Sequence, residues 1–295
     1  MIVYSLLAAT LLFALLSLWL LWRGNTVLGI ALAMFIYLYG VWAFASVYGK
    51  YVFAIAASAT LIIALFRKNK RQQTTWKTAV SLAVSVILLL LSILYFTGTA
   101  GKPYGTINMA LPFKTGTYFV FQGGRGLPTN VFHYSGRHTL FAMDIIKLNN
   151  AGGRARHVFS KKLEDYEIFN DTIYSPCNGI IAKEEHSNPD NIPPTRKRGP
   201  ANLNGVVIET DSAWIFLGHM EHNRTFVHAG DRVVTGQPLG LAGNSGMSLE
   251  PHLHIQAHAK TFTGQPFYQE PQLLITFAGK EYLLFESIEA GKDLK

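Results

Sequence analysis

Four long apolar stretches open the chain, and short runs of β-branched and aromatic residues fill the rest. The apolar stretches lie at about Ile2–Trp22, Val27–Ala45, Tyr51–Phe66 and Ala79–Phe96. A helix needs roughly 20 apolar residues to cross the hydrocarbon core of a bilayer, with a range of about 17–25. The first, second and fourth stretches meet that length. The third does so if Ser46–Gly49 joins it, with Lys50 near its end and its amine reaching water along a flexible stem. Four such runs in succession predict four transmembrane helices in an N-terminal α-helical membrane domain, residues 1–97. The start does not read as a cleavable signal. Met1–Tyr4 has no basic side chain, the apolar run exceeds the roughly 7–15 residues of a signal core, and more spans follow. Trp19, Trp22, Trp42, Tyr48, Tyr51, Trp76 and Tyr95 fall near span ends, where amphipathic rings suit the membrane–water interface.

The pattern changes at Gly98. Residues 98–106, GTAGKPYGT, read as a Gly-rich linker. Beyond them come short runs of β-branched and aromatic residues broken by Gly, Pro, Asn and Asp: Gly116–Phe121, Leu140–Ile146, Asn178–Lys183, Gly205–Glu209, Trp214–Leu217, Arg232–Val234 and Leu253–Ala257. Many short strands with turn signals predict an antiparallel β architecture. The one candidate helix is a short one near Ser160–Tyr166. Glu184–Leu203 is a polar loop of 20 residues, a length that in a compact domain marks function or disorder.

Charge divides the chain at the same place. The 295 residues carry a net charge of +8, but residues 1–100 hold seven basic and no acidic side chains, whereas the rest is nearly neutral. The segment Arg67–Lys77, RKNKRQQTTWK, holds five of those seven and should face the cytoplasm. The fourth span then runs outward and delivers the β half to the outer side of the cytoplasmic membrane. Lys50, on the outer side in this topology, is a single dissenting charge. A soluble single-domain protein and a nucleic-acid binder are both excluded, because the basic excess sits between apolar runs. Cys177 is the only cysteine, so no intramolecular disulfide framework or Cys-rich metal site is available.

All ten histidines lie between His133 and His258. In His252-Leu253-His254 the two imidazoles share one face of a strand, as a metal site with an adjacent proton carrier requires. Gln256 and His258 continue that face. The turn-rich segment Gly236–Gly246 is not a phosphate loop: it lacks GxxxxGK[ST] and no helix-forming run follows.

The stretch around these residues resembles the lysostaphin-type (LytM-like) zinc metallopeptidases. The family's His-Leu-like dipeptide appears as His219-Met220, its Val-x-x-Gly-Asp-x-Val-x-x-Gly segment as Val227–Gly236, its Gly-x-x-Gly-x-(Thr/Ser)-Gly turn as Gly240–Gly246, and its terminal His-Leu-His as His252–His254. Upstream, Ile173–Gly179 (IYSPCNG) and Asn204–Ile208 (NGVVI) are similar to further pieces, the second with Asn and Gly in reversed order. The resemblance covers about residues 107–280, leaving 281–295 as a C-terminal tail, and says nothing of the spans. It implies a C-terminal all-β peptidase domain of the duplicated-hybrid-motif type.

It also implies a site. Most members open their zinc ligands with His-x-x-x-Asp, but here Leu140 stands four residues before Asp144. A variant pattern, His then a longer polar loop then aromatic-Ala-x-Asp, fits His133–Asp144, with His138 as the rival first ligand. The implied centre is Zn²⁺ held by His133, Asp144 and His254, with water in the fourth position. His219 and His252 match the family's two catalytic non-ligand histidines; His222 and His228 read as ordinary surface or core residues. Nothing activates Cys177 as a nucleophile. The implied function is a membrane-anchored zinc metalloendopeptidase that cuts peptide bonds in peptidoglycan stem peptides or cross-links. Its partners are that substrate, the bilayer and an unidentified regulatory envelope protein, with no nucleic acid. The alternative is a catalytically silent module that binds or activates another cell-wall hydrolase. A transporter or sensor is disfavoured because the spans contain no Asp, Glu or His.

Overall fold

The structure is a computed structural model, and it describes residues 2–67, 75–134, 138–195, 197, 199–261 and 264–291. The chain separates into two compact units, Met1–Thr97 with Ala151–Gly153, and Gly98–Asn150 with Arg154–Lys295.

The first unit is helical: α1 (Ile2–Trp22), α2 (Thr26–Tyr39), a 3-10 turn at Trp42–Phe44, α3 (Tyr48–Phe66) and α4 (Thr75–Thr97). Among the described residues three helices are long and apolar enough to cross a membrane: Tyr4–Trp22, Tyr48–Phe66 and Thr75–Thr97. The second expected span is not one continuous helix. With 14 residues α2 reaches only about 21 Å at the α-helical rise of 1.5 Å. Gly40 turns extended there, and the Trp42 indole N–H donates to the Ile36 carbonyl at 3.1 Å. A Cβ at Gly40 would stand 2.5 Å from that carbonyl oxygen, so the turn needs glycine. The third span gains its length because Tyr48–Lys50 join α3. The Lys50 amine then lies over the rings of Tyr37 and Tyr51, at 5.2 and 5.4 Å.

Side-chain contacts set the direction of each helix. Arg67, just past α3, lies 4.0 Å from the ring of Trp22 at the end of α1, so α1 and α3 run parallel. Ser81 of α4 donates to Asn25 at the start of α2, and Tyr39 at the end of α2 donates to the Leu91 carbonyl, so α2 and α4 run together. Small residues permit close approach: a Cβ on Gly29 of α2 would meet Leu21 of α1 at 2.8 Å. Of the basic segment, Lys68, Lys70 and Arg71 lie outside the described residues.

The second unit is built on a ten-stranded sheet. Its strands are β1 (Gly105–Met109), β2 (Gly116–Gln122), β3 (Met143–Leu148), β4 (Thr172–Tyr174), β5 (Gly179–Glu185), β6 (Gly205–Glu209), β7 (Ala213–Gly218), β8 (Met220–Thr225), β9 (Arg232–Val233), β10 (Pro238–Ala242), β11 (Leu253–Ala259), β12 (Gln272–Phe277) and β13 (Ser287–Ala290), with one short helix, α5 (Val131–Tyr134). The large sheet runs β13-β2-β3-β11-β7-β6-β5-β9, with β12 also on β11 and β1 on β12; β4, β10 and β8 form a small second sheet. Pairing is antiparallel except between β1 and β12. On β7 the alternation reads directly: Ala213, Ile215 and Leu217 are buried while Trp214 and Phe216 are partly exposed. Each fully buried Ile or Leu of this core contributes about 1.5–3 kcal/mol relative to exposure.

Several elements depart from the pattern. β3 starts at Met143, because Thr139–Ala142 close a turn through an Ala142 N–H to Thr139 carbonyl bond. The candidate helix near Ser160–Tyr166 is a single 3-10 turn, Leu163–Asp165. The linker's last residues, Gly105 and Thr106, open β1. Within the expected tail, Ser287–Ala290 forms β13, paired with β2 at the sheet edge, and Ile288 is buried there.

Candidate metal centre

The site forms where β11 enters the sheet between β3 and β7. His254 on β11 is registered directly opposite Asp144 on β3 and Gly218 on β7. Residues facing each other across an antiparallel pair bring their Cβ atoms to roughly 4.5–5.5 Å. This explains why a histidine and an aspartate 110 positions apart meet: His254 Nδ1 lies 3.0 Å from Asp144 Oδ1. His133 arrives from α5 and places Nε2 3.3 Å from the same carboxylate oxygen. His252, just before β11, brings Nε2 to 3.6 Å from it. His219 sits in the one-residue break between β7 and β8 with φ +64, a left-handed conformation that a side chain with a Cβ rarely adopts. That kink turns its ring to 4.4 Å from the ring of His252.

Hydrogen-bond partners assign the ring protons. His133 Nδ1 is 2.7 Å from Asn130 Oδ1, and the Asn130 amide donates to the carbonyls of Leu140 and Ala142 at 3.1 and 2.9 Å. Those carbonyls only accept, so the amide oxygen must face His133, and His133 Nδ1 carries its proton. His219 Nδ1–H donates to the Ser245 carbonyl at 2.7 Å, and His252 Nδ1–H to the Glu250 carbonyl at 2.8 Å. In each of these three rings Nε2 is left bare. Burial would raise the Asp144 carboxyl, but the imidazoles of His133, His252 and His254 around it outweigh burial and hold it well below the usual range. Burial pushes His219 far down, with His252 and His254 adding to the effect, so it is neutral. For His254 burial acts downward, but the Asp144 carboxylate overrides it and raises the imidazole.

His133, Asp144 and His254 can each offer one ligand atom, all within 4.8 Å of one another. Two imidazole nitrogens and one carboxylate oxygen are a donor set that can hold Zn²⁺ and leave its fourth position open. The donors fit a cation for a second reason. Bare nitrogen and carboxylate lone pairs converge on one buried point, where they repel unless a positive charge lies between them. Among the described residues His138 does not join this group; its ring lies 6.5 Å from that of Tyr268. His222 is on β8 and His228 beyond it, both outside the cluster. Ser135, Gly136 and Arg137, the polar loop between the two candidate first ligands, lie outside the described residues.

Residues 164–267 match the family described as Peptidase family M23. The C-terminal unit carries an M23 peptidase domain. The matched segment contains His219, His252 and His254, while His133 and Asp144 precede it. Among solved structures, the M23 domain is similar to a zinc-containing peptidase from Vibrio cholerae, with 20% identity over 37% of this chain and 28% of that one, at a TM-score of 0.26. It is similar to the catalytic domain of the antimicrobial peptidase lysostaphin from Staphylococcus simulans, with 19% identity over 50% and 84% of the two chains and a TM-score of 0.28. It is also similar to a variant catalytic domain of the prophage-encoded M23 protein EnpA from Enterococcus faecalis, with 18% identity over 59% and 95% and a TM-score of 0.30. The chain spans under a third of the Vibrio cholerae peptidase's length, 28%. No curated protein sequence matches the chain significantly.

The M23 domain's supporting residues escape a reading by motif. Asn130 is fully buried and orients His133, yet three residues before a histidine it carries no signature. Arg154, 3% exposed, grips Glu250 through Nε and Nη2 at 2.7 and 2.8 Å and so fixes the carbonyl that holds His252. Asn191, in the long polar loop, donates to the carbonyls of Asn244, Gly246 and Ser248, tying that loop to the turn before His252. The one available signal was the length of the loop itself.

Proposed function

We propose that this chain is a membrane-anchored zinc metalloendopeptidase that hydrolyses peptide bonds in peptidoglycan stem peptides or cross-links. The observation that carries the reading is the pairing of a three-donor group, His133, Asp144 and His254, with two non-ligand histidines whose open nitrogens border it. A domain that only bound metal or peptide would have no use for that second pair. Zn²⁺ would be held by His133 Nε2, Asp144 Oδ1 and His254 Nδ1, and when bound it supplies Lewis acidity and a bound water of pKa near ~7.

The chain's own residues supply the rest. His252 Nε2 is the proton acceptor: its Nδ1–H is committed to Glu250, and a proton gained at Nε2 lies 3.6 Å from the Asp144 carboxylate, which stabilises it. The same proton is then at hand for the departing amine, as general acid–base catalysis requires. His219, held neutral by burial, presents Nε2 beside His252 and orients the attacking group by accepting its hydrogen bond.

The membrane unit holds the enzyme at its substrate. α1, α3 and α4 cross the bilayer, and because α1 and α3 run parallel, α2 with residues 40–47 makes the return crossing between them. Arg23, Arg67 and Lys77 then share the cytoplasmic end with the rest of the basic segment, and the M23 domain lies outside. The test is release of new amino termini from purified peptidoglycan by the full chain in detergent, with zinc content measured on the same sample. Zinc-loaded protein that releases none at any pH between 5 and 9 turns the reading to a silent module.

A further inference from the structure

β11 carries a polar row that continues past the metal centre into the core. His254, Gln256 and His258 occupy alternate positions, so they share one face, and all three are buried, His258 completely. They are joined end to end. His254 Nε2 is 2.8 Å from Gln256 Oε1, Gln256 Nε2 is 3.0 Å from His258 Nε2, and His258 Nδ1 is 2.7 Å from the Glu270 backbone carbonyl.

The far end fixes the direction of every proton. A backbone carbonyl only accepts, so His258 Nδ1 must carry hydrogen. In the neutral ring Nε2 is then bare and needs a donor, and the Gln256 NH₂ group is the donor that faces it. Burial, the largest influence on His258, favours that neutral ring. With its NH₂ turned to His258, the Gln256 amide must turn its oxygen to His254. That oxygen only accepts, so His254 carries its proton on Nε2 and keeps Nδ1 bare. Nδ1 is the atom 3.0 Å from Asp144 Oδ1.

We propose that His258, acting through Gln256, is a positioning residue that selects Nδ1 of His254 as its metal-binding nitrogen. The inference rests on reading the site as a metal centre. The relay works by removing a competitor. A His254 protonated on Nδ1 would donate to Asp144, closing two of the three ligands against each other. In that tautomer Nε2 would be bare and would face the Gln256 oxygen, two acceptors with no hydrogen between them. The Glu270 carbonyl, through two side chains, therefore disfavours the tautomer that blocks the metal. If His258 were an apolar residue, the Gln256 amide could rotate, offer its NH₂ to His254 Nε2 and stabilise the blocked form.

The test uses the full chain in detergent, labelled with ¹⁵N-histidine, metal-free at mildly alkaline pH. Wild type should show His254 as the Nε2–H tautomer and His258 as the Nδ1–H tautomer. His258→Leu should shift His254 toward Nδ1–H and weaken Zn²⁺ binding, read by chelator competition, by about 10–100-fold, the usual effect of losing a ligand's outer partner. His258→Gln should restore affinity to within about 3-fold, because an amide there can accept from Gln256 and donate to Glu270. Wild-type spectra with either tautomer reversed overturn the proposal without reliance on any variant. So does a folded His258→Leu chain with unchanged zinc affinity. A wild-type chain that binds no zinc but shows the assigned tautomers overturns the metal reading and leaves the proton order standing.

Discussion

Asn130 offers the sharpest quantitative test of how the proposed first ligand, His133, is held. Its side chain is fully buried and makes three hydrogen bonds, two to carbonyls of the turn before β3 and one from His133 Nδ1. Replacing it by alanine leaves two carbonyl oxygens and one imidazole N–H without partners. Each orphaned buried group costs about 1–3 kcal/mol, reduced where water can reach it. The Leu140 carbonyl belongs to a half-buried residue and is the one most readily rehydrated. A net loss of about 3–5 kcal/mol is therefore expected in the metal-free M23 domain. For a domain of this size each 1 kcal/mol shifts the melting temperature by about 2–4 °C, which places the Asn130→Ala transition roughly 6–20 °C below wild type. His133, no longer held by Nδ1, should bind Zn²⁺ about 10–100-fold more weakly. Near-ultraviolet circular dichroism of the full chain in detergent follows the β unit's tertiary melting, and chelator competition gives the affinity. His133→Ala serves as the contrast: it removes the ligand but spares both carbonyl bonds, so zinc is lost while the metal-free melting point moves far less. The reasoning fails if metal-free Asn130→Ala melts within about 2 °C of wild type.

Four further outcomes are expected. The full chain should bind about one Zn²⁺, lost in His254→Ala and His133→Ala but retained in His138→Ala; loss in His138→Ala alone would move the first ligand. His219→Ala and His252→Ala should keep zinc while peptidoglycan cleavage falls by roughly 10²–10⁴, and unchanged turnover in both would send the search for the proton carrier elsewhere. A reporter active only outside the membrane should be active when fused after Lys295 and silent at Gln73, both of which lie outside the described residues; reversed signals would put the M23 domain in the cytoplasm. Metal-free stability should fall as pH drops below ~6.5, because unfolded His219 and His258 take up protons that their buried, lowered folded forms refuse. His254 acts oppositely, its contribution being full below ~6.5 and lost as pH rises through its raised value, so melting curves should show the acid loss flattened in His219→Gln.

What the sequence disclosed follows from which interactions are local. The apolar runs marked all four helices, since their signal is a property of each segment alone, but Gly40 and Trp42 break the second run through a contact that composition does not encode. Strands with a continuous β-branched run, such as Gly205–Glu209, were legible; β8, with the sequence MEHNRT, was not, because its pairing with β10 rather than an apolar run keeps it in place. β13 has Ile288 as its one buried anchor, with Ala290 packed beside it, and its identity as a strand depends on β2. At the site, residue type and resemblance pointed to His133, Asp144, His219, His252 and His254. Asn130, Arg154 and the proton order along β11 depend on register between distant strands and loops, which no single segment carries.

Those hidden residues share one task. Three imidazoles crowd a single carboxylate and a fourth, His219, stands beside two of them; each has one nitrogen occupied by a fixed partner: Asn130 for His133, the Ser245 carbonyl for His219, the Glu250 carbonyl for His252 and Gln256 for His254. Every remaining nitrogen therefore brings a lone pair toward the same small volume. Such a concentration of lone pairs opposes folding when no cation is present, so it persists only where the partners are themselves rigid. Arg154 clamps Glu250 with two bonds, Asn191 fixes the turn that contains Ser245, and the Ser245 hydroxyl, bound to the Met220 carbonyl, also receives the Asn204 N–H. The scaffold thus carries the electrostatic strain in advance of the cation, as preorganised sites do. Metal affinity in this domain should accordingly be as sensitive to residues that never touch the metal as to some that do.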